Sequence, residues 1–210
     1  MIRMSALAGL AVLAALGGCV SLLPEQPPAP RLFVLDSGQV APAAGAQLDA
    51  VVGVSAPGGE RALLGSELVW RRGSELAYVA QAQWSGRAQD SLQSLLVETL
   101  ARQGRVRAAT RLGEARTDYD LRWDIVDFEI VERGDGLVAR FAADAKVLRA
   151  TTRDVLGARL VDVEVPVSDR SASQASDALT RAAREGGARI ASFTAETIET
   201  AQSSAASISR

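Results

Sequence analysis

Hydrophobic positions form one near-continuous run at the N-terminus and periodic patterns afterwards. Ala6 to Leu16 is apolar almost throughout, with Arg3 ahead of it and Gly17-Gly18-Cys19 behind it. A positive start, a short apolar stretch and small residues at the end make the layout of a secretory signal. The run is shorter than the roughly 20 residues a helix needs to span hydrocarbon, which argues against an uncleaved membrane span. From Val20 to Pro30 the periodicity vanishes. Pro24, Pro27, Pro28 and Pro30 exclude a regular helix or a central strand there. At about 3 Å per residue, such an extended spacer reaches roughly 30 Å.

The next stretch predicts short strands. Arg31 to Leu35 is apolar and ends at Asp36-Ser37-Gly38, and Gln39 to Gln47 reads as loop. Leu48 to Ala56 is a second strand, stopped by Pro57-Gly58-Gly59. Glu67–Arg71 and Leu76–Val79 flank Arg72-Gly73-Ser74 and read as a hairpin. Ala88, Leu92, Leu95, Leu96 and Leu100 then fall at spacings of three and four, predicting a helix over 87–103. Ser85 is placed to cap its start and Gly104 to end it. A short strand, Val106 to Ala109, should follow.

Asp118 to Glu132 alternates as a long strand, but its phase changes. Tyr119, Leu121, Trp123 and Ile125 are apolar at odd positions, and Val126, Phe128 and Ile130 at even ones. One extra residue swaps the two faces, so the flip predicts a β-bulge near Val126-Asp127. Arg133-Gly134-Asp135-Gly136 reads as a turn, Leu137 to Arg149 as the return strand and Arg159 to Val167 as a third. Together they predict an antiparallel meander with one apolar and one charged face. Ser171 to about Thr200 is helical, with Ala175, Leu179, Ala182, Gly186, Ile190 and Phe193 in one stripe. Gly186-Gly187 is a place for that helix to loosen, since glycine costs about 1 kcal/mol relative to alanine. The Ser/Ala-rich end, residues 202–210, reads as a flexible tail.

Composition removes most chemistry. The chain has 210 residues, a net charge of −2, no histidine and one cysteine. Without a basic excess, the footprint of a nucleic-acid binder is missing. Without histidine, the usual zinc ligand sets and the Ser-His-Asp and Cys-His arrangements are unavailable. Lys146, the only lysine, sits mid-strand on the charged face. Asp118, Asp120, Asp124 and Asp127 suggest calcium, but EF-hand spacing and its turn glycine are absent, and strand alternation accounts for three of the four. The expectation is no catalytic, cofactor or metal site.

Leu16-Gly17-Gly18-Cys19 resembles the bacterial lipobox. In that class of protein, cleavage falls before the cysteine. Cys19 then carries a covalent diacylglycerol and an acyl chain, and residues 1–18 are the signal peptide. Valine at position 20, rather than the aspartate of inner-membrane retention, favours the outer membrane. Beyond it come Leu32-Phe33-Val34-Leu35, Tyr78…Trp84 before a helix, Asp120-Leu121 entering a long strand and Ala175…Ala178-Leu179 in the last helix. In that order they resemble the ABC-type transport auxiliary lipoproteins.

The resemblance implies an α+β fold: a single domain over 31–201, a mostly antiparallel sheet with two helices packed on one face. A lipidated N-terminus and proline-rich linker (19–30) would precede it. It also implies a non-enzymatic accessory lipoprotein of an MCE-type ABC transporter moving lipids between inner and outer membranes. Expected partners are the membrane, an MCE-domain periplasmic protein and further copies in a ring. Two other roles stay open. The domain itself could hold lipid in a cleft between helices and sheet, near Ala143, Ala145, Ala182 and Gly186, although close packing of those small residues is the plainer reading. It could instead assist outer-membrane assembly. Trp70 and Trp84 are candidate interface anchors if exposed, since aromatics carry binding energy at interfaces.

Overall fold

The computed structural model describes residues 28–134 and 136–208. Its centre is the meander. β7 (Tyr119–Arg133), β8 (Gly136–Arg149) and β9 (Val155–Val167) pair antiparallel along nearly their whole length. The register of β7 on β8 shifts between Ile125 and Asp127, which puts the bulge at Val126. Leu121, Trp123 and Ile125 before the bulge and Phe128 and Ile130 after it are all buried. The extra residue keeps the apolar side facing inward across the phase flip.

Shorter elements line the other edge of β7. β2 (Leu48–Val54), β3 (Gly58–Gly59) and β4 (Glu67–Arg72) each pair parallel with it, one after another. β6 (Val106–Arg111) adds to β2 in parallel, β5 (Glu75–Trp84) to β4 antiparallel, and β1 (Arg31–Phe33) to β5 in parallel. The result is one nine-stranded sheet among the described residues. Its long ladders are antiparallel, so the sheet is mostly antiparallel as expected. The short parallel joins come from connections between distant segments, which period-2 patterning does not encode.

Two helices cover one face. α2 (Ala88–Gln103) buries Leu92, Leu95, Leu96 and Leu100. Its expected cap is not used: the N-cap position is Arg87, without a side-chain bond, and Ala88 N–H donates to Gly65 O at 2.7 Å. The carbonyl that follows α1 (Arg61–Leu64) thus takes up the first N–H of α2. Gly104 ends α2 in the left-handed region at φ 72°, the conformation for which glycine carries no Cβ penalty. α3 (Ala172–Ile208) is longer than expected. It continues through Ile208, over residues read from the sequence as a flexible tail, because alanine is the best helix former and the last turns are Ala- and Ser-rich. Gln202 Nε2 also donates to Asp49 O at 3.2 Å, tying that end to β2.

Nor does α3 loosen at its glycines. A Cβ on Gly186 would lie 2.2 Å from Cδ1 of Phe141, and one on Gly187 would lie 2.7 Å from Cδ2 of Leu95. Both glycines are there for close approach, to the sheet and to α2 respectively. Phe141 stands edge-on to Phe128, and Phe128 stacks on Trp84 at 5.7 Å. This aromatic column is the middle of the core.

Candidate functional site

Of the sequence-predicted site residues, Leu16, Gly17, Gly18 and Cys19 lie outside the described residues. The two tryptophans have different fates. Trp84 is 2% exposed and stacked in the core, so it offers no surface to a partner. β5 runs on to Trp84 instead of stopping at Val79, and the strand phase turns the indole inward. Trp70 is half-buried and lines a groove.

The groove lies on the helix side of the β4–β5 hairpin, with a volume of about 310 Å³. Strand pairing puts Trp70 opposite Ala77 and Arg72 opposite Glu75. Tyr78, Val79 and Ala80 extend the wall, and Arg170, just before α3, closes the rim. The Arg170 guanidinium lies 5.6 Å above the Trp70 ring. Glu132 joins the two arginines, accepting from Arg72 Nε at 2.7 Å and from Arg170 Nη2 at 2.5 Å. Those bonds, Arg72's first, hold its carboxyl below the usual carboxylate range. Glu132 and the cross-strand Glu75 together match the two arginines in charge, and the groove is an apolar slot with a balanced polar rim. Arg72 and Arg170 were not singled out from the sequence, because the approach of β4 to the start of α3 is a non-local contact with no pattern of its own.

The helix-free face carries a charge ladder across four strands. Arg71 Nε donates to Glu129 at 2.5 Å. Glu129 is 1% exposed, and burial pushes its carboxyl above the ordinary value despite Arg71. On the next strand Arg140 grips Asp162 through two bonds, of 3.2 and 2.7 Å, which lowers Asp162. Arg140 also lies 3.3 Å from Asp127.

The acidic string seen in the sequence disperses among separate partners. Asp118 accepts from Val51 N–H at 2.8 Å, and Asp120 accepts from Thr117 Oγ1 at 3.0 Å. Asp124 stands exposed near Gly58. Among the described residues no group of three or more His, Cys, Asp or Glu is placed to hold a metal.

Where α3 crosses β8 the helices and sheet are in close contact, while a groove of about 590 Å³ opens between β9 and α3, at Arg159, Leu160, Glu185 and Arg189. Ala143, Ala145 and Ala182 are fully buried, and Gly186 abuts the Phe141 ring. The small residues set the helix–sheet distance and leave no room for lipid between the layers at that crossing. Among the described residues, no helix is long and apolar enough to cross a membrane.

Comparison with known proteins places this architecture. The family model for the ABC-type transport auxiliary lipoprotein component matches residues 33–191. A solved structure from Xanthomonas campestris, described as a DUF330 protein, superposes with a TM-score of 0.75 at 21% identity. The match covers 82% of this chain and 99% of that one. The crystal structure of an uncharacterized protein superposes with a TM-score of 0.63 at 12% identity, covering 79% of this chain and 99% of that one. At such identities the two structures speak for the fold alone. No curated protein sequence matches the chain. The family match runs from β1 into the second half of α3, and the chain belongs to the family of ABC-type transport auxiliary lipoprotein components.

Proposed function

We propose that the chain is a non-enzymatic accessory lipoprotein of an MCE-type ABC transport system that moves lipids between the inner and outer membranes. The observation that carries this reading is the family match over residues 33–191, together with the lipobox-like Leu16-Gly17-Gly18-Cys19 ahead of it. Cys19 carries the diacylglycerol and acyl chain. Val20 directs the protein to the outer membrane, on its periplasmic side. The domain serves as a docking piece for the MCE-domain periplasmic protein, and further copies assemble with it as a ring.

The geometry supports a docking role over a carrier role. The contact of α3 with β8 is close-packed, and the grooves at Trp70 and at Arg189 are open to the surface. Affinity capture from detergent-solubilised membranes tests the reading. Recovery of an MCE-domain protein and its ABC ATPase is the expected result, and capture of neither would sink it. Depletion that disturbs outer-membrane barrel or lipopolysaccharide assembly while lipid transport stays normal would favour the assembly role instead.

A further inference from the structure

One end of the sheet combines exposed apolar side chains with the exit of the N-terminal tether. β1 pairs parallel with β5, Arg31 beside Ala82 and Phe33 beside Trp84. Parallel pairing fixes a direction: the chain before Arg31 points back toward the start of β5, where the Gly73-Ser74 turn joins it to β4. Leu76 and Tyr78, in that first half of β5, are 40% and 59% exposed. They pair with Arg71 and Val69, out of phase with Trp70, and Tyr78 also borders the Trp70 groove. Leu32, 64% exposed and beside Gln83, stands on the same side. The turn between β7 and β8 and the start of α3 lie at this end too, since β4 runs parallel to the end of β7.

We propose that this end, with Tyr78 and Leu76 foremost and Leu32 behind them, is a membrane-apposed surface whose partner is the lipid bilayer holding the chain's own anchor. The inference rests on Cys19 being lipidated. From Cys19 to Pro28 is 28 − 19 = 9 residues, at most about 32 Å of extended chain. From Ala82 back to Glu75 is 82 − 75 = 7 residues, roughly 23 Å of strand. A tether no longer than that allows the hairpin turn to reach the lipid surface. The far end of the molecule lies in the other direction. There α3, 37 residues long and so about 55 Å, finishes beside the start of β2.

Tyrosine settles at headgroup depth, where its ring is buried and its hydroxyl stays wet. The arginines at this end are paired, Arg72 and Arg170 with Glu132 and Arg133 with Glu164, and Glu75 and Asp169 stand exposed beside them. With no unpaired arginine among those named to draw anionic lipid, the contact rests on the apolar side chains and is weak by itself; it adds to the covalent chain as the second of the two signals that stable anchoring needs.

The lipidated full chain provides the test, because Cys19 is its only cysteine. Tyr78→Cys and Leu76→Cys, each labelled with an environment-sensitive NBD probe, are reconstituted into vesicles of phosphatidylethanolamine and phosphatidylglycerol bearing nitroxide lipid. Val155→Cys, exposed at the opposite end, is the reference. The expected result is a blue shift and several-fold stronger nitroxide quenching at 76 and 78 than at 155. Chains that float with the vesicles but show equal, weak quenching at all three sites overturn the proposal and leave the anchor standing. Self-quenching that rises with protein density while nitroxide lipid has no effect assigns the face to a second copy, which also overturns it. A chain that does not float removes the lipid anchor and this inference together.

Discussion

Gly186 touches the core more tightly than any side chain around it would allow. A Cβ there meets the buried Phe141 ring at 2.2 Å, whereas one on Gly187 meets only the tip of Leu95 at 2.7 Å. Gly186→Ala should therefore lower stability by about 1–3 kcal/mol despite alanine's better helix propensity. Gly187→Ala should cost distinctly less, and urea denaturation of the pair reads the difference. Trp84→Ala should cost about 3–5 kcal/mol, as removal of a buried aromatic does. Trp70→Ala should cost far less, because its ring is half-buried beneath Arg170.

Glu129 adds a pH dependence of definite sign. Its folded carboxyl titrates above the unfolded one, so the native state holds more protons in the window between the two. Stability from this group is full below the unfolded value and falls as pH rises through the folded value. Asp162 and Glu132, both lowered, act oppositely and lose their contribution as pH falls through their folded values. Glu129→Gln should thus gain on the native chain as pH rises just above the ordinary carboxylate range. Denaturation midpoints measured across that range check it, and a difference independent of pH would show that Glu129 ionises as freely in the fold as out of it.

At the level of elements, the bulge at Val126 was legible because alternation is strict. A single phase flip in Tyr119–Ile130 has one cheap geometric solution, and the register takes it. Deleting Val126 should turn Leu121, Trp123 and Ile125 outward, and near-ultraviolet circular dichroism should show loss of fixed packing. The meander, the α2 stripe and the left-handed Gly104 were legible for the same reason: each is written in local periodicity or in one residue's backbone preference. The parallel joins of β2, β3 and β4 to β7 were not, since they depend on where distant segments meet. Ser85 was misread as a cap because the sequence does not show Gly65 O arriving at Ala88. The glycines of α3 read as weak points for lack of a visible partner, and Phe141, far away in sequence, supplies it.

At the scale of the whole molecule, the described residues form a two-layered slab. The sheet carries helices on one side and a charge ladder on the other, and the chain enters β1 from the side of the β4–β5 turn. The interior residues are small where α3 meets the sheet and aromatic where Trp84, Phe128 and Phe141 stack. Family membership was legible in the order of soft motifs along the chain; the groove around Trp70 and Arg170 was not, because it exists only once β4 and the start of α3 are brought together.

The central claim is that the domain works only when held at a membrane through Cys19. Replacing that residue tests it most directly: Cys19→Ala, expressed in a strain lacking the native gene, followed by membrane fractionation and complementation of envelope lipid transport. The account predicts a folded domain that leaves the membrane fraction and fails to complement. A Cys19→Ala chain that still fractionates with membrane and restores transport would contradict it.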